Sequence, residues 1–345
     1  MKTRFIYATL LLLGLACNTN PQTTNSVAKT DVPRMKGLNF VAVPDPFTLN
    51  PMTAVTAVSA DWIAIIPYGF TMLGKPFVKY NTNGGQWWGE RPEGVTKTIE
   101  LAHEAHIHTL LKPQVYVPDG FTGNLDYSTE ADWQLWEQDY ERFILFFADI
   151  AAKNKVEMLC IGTEFKTSVM KHPDFWRKLI VKIRSQYSGK LIYAANWDEY
   201  ENVPFWNDLD YVGVNAYFPL SKEQNPSSSN LQKAWLAPIA KLKAFAEKSK
   251  KQIVFTEYGY MSVDGCADAS WEIEAKKDEL AVNEKAQAEA LDALLTAFAK
   301  EPWWQGGFLW KWFPNMEGHE GYPEKDYTPQ GKKAEQVLCR WYKKL

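Results

Sequence analysis

The sequence predicts an α/β chain of the (β/α)8 class, a TIM barrel in a single domain. Eight short apolar runs recur along it, amphipathic stretches of helical period separate them, and no Pro-, Gly- or Ser-rich linker divides the chain after Met35. The runs are 37–42, 62–67, 107–112, 158–162, 191–195, 211–215, 253–256 and 307–311. They are continuously apolar rather than alternating, the pattern of parallel strands covered on both faces. The 345 residues exceed the ~250 usual for such a barrel and leave room for insertions. An open doubly wound sheet is the rival topology. It normally carries a Gly-rich phosphate turn after its first strand, and Gly37-Leu38-Asn39-Phe40-Val41-Ala42 provides none.

Between the runs, the helical stretches follow in order. Residues 92–105 open with Pro92, whose missing N–H costs nothing in a first turn, and carry Val95, Ile99, Leu101 and Ala102 on one side. Residues 129–153 have Ser128 or Thr129 as N-cap and an apolar stripe through Trp133, Trp136, Tyr140, Phe143 and Phe147. The same pattern predicts helices over 173–187, 231–248, 277–300 and 330–344. Within 277–300, the charges at Asp278 and Glu279 continue a mixed charged stretch from Glu272, read as a solvated loop and helix start.

Ahead of the predicted barrel (35–345), the N-terminus reads as an export signal. Met1-Lys2-Thr3-Arg4 is basic, 5–13 is apolar but too short to span a bilayer, and Gly14-Leu15-Ala16-Cys17 follows. This ending resembles a bacterial lipoprotein box, which implies cleavage before Cys17 and a lipid anchor on its sulfur. Plain secretion with an incidental cysteine is the alternative. Residues 18–34, rich in Asn, Thr, Gln and Ser, read as a flexible tether. The remaining Cys160, Cys266 and Cys339 are odd in number and lack metal-ligand spacing; only a Cys266–Cys339 bridge is conceivable.

A formal charge of −3 and the lack of a basic stripe exclude an electrostatic nucleic-acid binder. The aromatic content is high, with 15 Trp, 16 Tyr and 18 Phe. Most of these rings belong in a core, but Trp and Tyr beside polar loops also suit a sugar cleft, because sugar C–H faces stack on flat rings.

In a barrel of this class the active site lies at the C-terminal ends of the strands. Residues just past each run are therefore candidates: Asn39, Tyr68, Lys112, Gln114, Thr163 and Glu164, then Asn196, Trp197, Asn215, Tyr217, Glu257, Tyr258, Trp310 and Trp312. Glu157 enters its strand from the other end and is set aside. Thr163-Glu164 and Thr256-Glu257 stand out, because a carboxylate at the mouth of a buried strand is costly to desolvate and usually has a chemical task. Paired carboxylates about 5–5.5 Å apart are what retaining glycoside hydrolysis needs. Tyr217 can offer its phenol to Glu257, and Trp310 can floor the sugar under attack. Trp197 and Trp312 follow their strands closely and are assigned to the cleft. Trp87-Trp88, in Asn83-Gly84-Gly85-Gln86-Trp87-Trp88-Gly89, fit a sugar platform or a loop anchor, and Lys112 fits a sugar contact or a charge partner. His103-Glu104-Ala105-His106-Ile107-His108 lacks the i, i+4 histidines of a zincin, so no metal and no organic cofactor is expected.

Glutamates after the fourth and seventh strands, Tyr after the sixth and Trp after the eighth resemble the large clan A of retaining glycoside hydrolases. Within that clan, Leu111-Lys112-Pro113-Gln114-Val115, Ile161-Gly162-Thr163-Glu164-Phe165, Phe255-Thr256-Glu257-Tyr258-Gly259-Tyr260 and Gly307-Phe308-Leu309-Trp310-Lys311-Trp312 resemble glycoside hydrolase family 113. The resemblance covers residues 35–345. It implies β-1,4-mannanase or mannooligosaccharide-trimming activity, Glu164 as acid/base and Glu257 as nucleophile. Thr163 departs from the clan pattern, which mostly has Asn there to bond the sugar 2-hydroxyl; Gln114 stands where some relatives have His. The expected partner is a β-linked oligo- or polysaccharide, with the chain monomeric and tethered to a membrane at Cys17. Action on another β-glycan, exo-acting β-mannosidase activity, and a non-hydrolytic glycan-binding lipoprotein are the alternatives.

Overall fold

The computed structural model describes residues 33–80, 85–118, 120–314 and 323–345. The expected leader 1–17 with Cys17 and nearly all of the tether lie outside the described residues, as do Asn83 and Gly84 of the Trp-bearing loop. Among the described residues eleven strands form: β1 (Met35–Phe40), β2 (Trp62–Ile65), β3 (Tyr68–Met72), β4 (Lys75–Lys79), β5 (His108–Leu111), β6 (Gln114–Tyr116), β7 (Met158–Thr163), β8 (Lys190–Asn196), β9 (Val212–Asn215), β10 (Ile253–Tyr258) and β11 (Trp304–Trp312). Eight of them close a barrel in the order β1-β11-β10-β9-β8-β7-β5-β2, and the pairings around it are parallel. These are the eight apolar runs of the sequence.

The helices are α1 (Met52–Ala57), α2 (Pro92–Glu104), α3 (Glu130–Lys153), α4 (Lys166–Lys171), α5 (Pro173–Gln186), α6 (Ser228–Ser249), α7 (Ser270–Ala275), α8 (Glu284–Phe298) and α9 (Lys333–Tyr342). Thr129 caps α3, its hydroxyl accepting the Asp132 N–H at 3.1 Å, and Trp133, Trp136, Tyr140, Phe143 and Phe147 are all buried. The helix expected over 277–300 is corrected. Charged 277–279 form a separate short turn, and α8 starts only at Glu284, where the Asn283 side chain accepts the Ala286 N–H at 2.9 Å. A cap that satisfies a free N–H outweighs a run of residues that merely tolerate helix.

The barrel lumen is packed by Met35, Ala64, Leu110, Met158, Cys160, Ile192, Ala194, Val254 and Phe308, while a larger apolar layer joins the strands to the helices. Strands β3, β4 and β6 make a second, three-stranded sheet. Prolines explain it. β2 and β5 each stop before a proline, Pro67 and Pro113, which has no N–H for the barrel ladder. The chain beyond each proline continues as β3 and β6, which pair in parallel with Tyr68 opposite Gln114 and Phe70 opposite Tyr116.

Candidate active site

Both glutamate-bearing strands lose regular register just before the glutamate. β7 shifts against β8 between Cys160 and Thr163, and β10 shifts against β9 between Phe255 and Glu257. Such bulges re-aim side chains at the rims of barrels. At Glu164 the backbone turns further, to a left-handed φ of 58°, which costs a residue with a Cβ about 1–2 kcal/mol. Its N–H is held by the Ala194 carbonyl at 2.8 Å.

The two carboxylates meet at the mouth of one cavity of about 660 Å³. Glu164, Asn196, Trp197, Tyr217, Glu257 and Trp310 line it, joined by Phe121, Asp198, Trp271, Glu274 and Tyr327. Their environments differ. Three donors converge on Glu257: the Tyr217 hydroxyl at 2.9 Å, the Gln114 amide at 3.0 Å and the Lys112 ammonium. Lys112 is fully buried, held at 3.3 Å by the Asn39 side-chain oxygen, and lies 5.7 Å from the centre of the Trp310 ring. Asn39 is fixed in turn by donating to the Thr256 and Phe308 carbonyls at 3.2 and 3.0 Å.

Among the described residues Glu164 has one neutral side-chain donor, the Asn215 amide at 2.9 Å, whose oxygen accepts the Thr256 hydroxyl at 2.8 Å. Burial first, and then the charge of Glu257, push its carboxyl up to about 8. Glu199 adds to that field from behind; burial lifts its own carboxyl to about 7, and it accepts the Asn196 N–H at 2.9 Å. One carboxyl is therefore poised to hold a proton, while its neighbour is surrounded by donors that suit an anion. This is the division of labour that separates an acid from a nucleophile.

Of the residues selected from sequence, Asn39, Lys112 and Gln114 form the bed under Glu257 instead of the cavity wall. Thr163 is buried, its hydroxyl 3.9 Å from the Cys160 sulfur. Trp312 is not brought to the cavity. Its indole is only 1% exposed in the main core, so no ring face is free to stack on a sugar. Trp88 packs edge-on against Phe47 at 5.3 Å, the loop-anchor alternative, and Tyr68 sits half-buried at the start of β3. Sequence reasoning missed Trp271, whose ring lies 6.1 Å from Trp197 and 9° from parallel with it. Its signal was a lone Trp inside a charged, exposed stretch. Gly259 answers to the site as well, because a Cβ there would strike the Trp310 carbonyl. At the barrel's other end, His103 and His108 face Glu157. Among the described residues no cluster of three or more potential metal ligands occurs.

The model of Glycoside Hydrolase Family 113 matches residues 48–332. The chain belongs to glycoside hydrolase family 113. This glycoside hydrolase is similar in structure to the family 113 β-mannanase AaManA from Alicyclobacillus acidocaldarius, in complex with ManMIm. The two are 26% identical with a TM-score of 0.77, over 91% of this chain and 98% of that one. A family 113 β-1,4-mannanase, 22% identical, has a TM-score of 0.76 over 91% of this chain and 100% of its own. The Ruminococcus gnavus β-glucuronidase shares the fold alone, at 14% identity and a TM-score of 0.59, over 90% of this chain and 50% of its own. A search of curated protein sequences finds no match.

Proposed function

We propose that this family 113 enzyme cleaves β-1,4-mannosidic linkages in mannan or mannooligosaccharides by double displacement. The observation that carries it is the pair of unlike carboxylates in one cavity, Glu164 bearing a raised pKa and Glu257 bearing three donors. Glu257 attacks the anomeric carbon as the glycosidic bond breaks, and Glu164 gives its proton to the departing oxygen. Glu164, now ionised, takes a proton from water, which attacks the anomeric carbon and releases the sugar from Glu257. Two inversions leave the configuration retained. A carboxyl pushed up to about 8 is still protonated at neutral pH, as the first step requires. Tyr217 and Gln114 steer the attacking oxygens, and Trp310 offers a flat face beneath the sugar ring. The choice of mannose is supported by the likeness to AaManA, itself a β-mannanase.

A hydrolysis screen on mannan, glucomannan, xylan and β-glucan, with product sizes read out, tests the substrate. Turnover of mannan and glucomannan above the others is expected; preferred turnover of xylan or β-glucan would replace mannose with another β-glycan. Binding across the panel without any turnover would leave a glycan-binding protein. We also propose export and anchoring through Cys17, supported by the basic, apolar and Gly14-Leu15-Ala16-Cys17 segments of the leader. The Cys17→Ala chain should then leave the membrane fraction; continued membrane association would refute the anchor. We further propose that the enzyme acts as a monomer, since both carboxylates and the donors that hold them come from one chain.

A further inference from the structure

The second sheet has two unlike faces. Gly69, Thr71 and Val115 are buried on the inner one, where Gly69 lies against the Phe143 ring of α3. Side chains alternate along a strand, so Tyr68, Phe70 and Met72 of β3 share the outer face with Gln114 and Tyr116 of β6. Phe70, Met72 and Tyr116 are 40%, 53% and 52% exposed. The Tyr116 ring stands nearly perpendicular to those of Tyr68 and Phe70, at 6.5 and 6.2 Å. Exposed apolar side chains grouped on one face mark a binding surface more often than scattered ones do.

The inner end of that face is Gln114, which packs under Glu257 and donates to it at 3.0 Å, so the face starts at a residue that touches the nucleophile. We propose that the outer face of β3 and β6 is a distal binding track for the polysaccharide chain that is cut at Glu257. The inference rests on the β-mannanase reading and extends it to chain length. From Tyr68 to Met72 the track runs about 13 Å at roughly 3.3 Å per residue, longer than one sugar ring. Aromatic rings spaced along it suit the C–H faces of successive sugars. Continuity with the nucleophile favours the substrate's own chain over a second copy of this protein. A short substrate fills only the cavity; a long one also covers Tyr116 and Phe70.

The test is the double variant Phe70→Ala/Tyr116→Ala. Both side chains are exposed, and unchanged thermal unfolding checks the fold. The quantity to measure is the ratio of kcat/KM on a long, soluble mannan chain to kcat/KM on mannotriose. The ratio is expected to fall about tenfold, equivalent to about 1.4 kcal/mol of lost binding. An unchanged ratio would overturn the track, as would an equal loss on both lengths. A shift from dimer to monomer in sedimentation, with the ratio unchanged, would assign the face to a second copy instead. Wild-type turnover of mannotriose separates the two claims: with turnover, an unchanged ratio removes the track alone. Without turnover of either length, the mannanase reading fails and the track falls with it.

Discussion

One barrel strand carries a glutamate at each end, and the two are put to opposite uses. Glu157 precedes β7 at the N-terminal end of the barrel, and Glu164 follows it at the C-terminal mouth. Burial raises the pKa of both. At Glu157 the Thr109 backbone N–H and hydroxyl, each at 2.8 Å, and His103 at 3.3 Å outweigh it and hold the carboxyl below its usual range. At Glu164 the Asn215 amide faces burial and the charge of Glu257 together, and the balance goes the other way. Residue type and strand are the same; the donors and the neighbouring charge make one carboxylate a structural tie and the other a proton carrier.

The largest way to break this contrast is in turnover. Glu164→Gln should lower kcat/KM on mannotriose by about 10³-fold or more, whereas Glu157→Gln should change it less than about twofold. Comparable losses in both would remove the distinction between the two ends.

Stability against pH sharpens it further. The folded Glu164 carboxyl, at about 8, binds a proton that an unfolded chain with the ordinary value of 4.5 has released. Stability conferred by this group therefore falls as pH rises from 4.5 toward 8, and Glu164→Gln removes that cost. The variant should gain about 1–3 kcal/mol over the parent on going from pH 4 to pH 8.5 in urea unfolding. Glu157 has the reverse sign: its lowered folded pKa stabilises above the unfolded 4.5 and ceases to do so as pH falls through the folded value. Glu157→Gln should cost about 1 kcal/mol at pH 7 and progressively less as pH falls through the folded value. Parallel pH profiles in the two variants would show that environment does not set the two roles.

Much of this was legible in the sequence because it depends on local pattern. All eight barrel strands are continuous apolar runs, and the rule that sites form at the C-terminal strand ends separates Glu164 from Glu157 on sequence alone. The pairing of Tyr217 with Glu257 followed from the same rule. Other features depend on which face a side chain takes. Trp310 and Trp312 both end the last strand, yet one lines the cavity and the other is buried in the core. Lys112 offered two readings from sequence, and only packing shows it fully buried against Glu257. The second sheet was hidden because Pro67 and Pro113 read as the ends of strands, while their second effect, diverting the chain into new pairing, needs the partner strand to be seen. Trp271 was hidden by its charged neighbours.

The most direct test of the unequal carboxylates compares leaving groups. A 2,4-dinitrophenyl β-mannobioside departs without needing a proton, while mannotriose needs one, and kcat/KM reports only the steps up to formation of the glycosyl-enzyme. If Glu164 is the acid and Glu257 the nucleophile, Glu164→Gln should lose about 10³-fold on mannotriose but less than about tenfold on the aryl glycoside, whereas Glu257→Gln should lose heavily on both. Equal losses of Glu164→Gln on the two substrates would contradict the assignment.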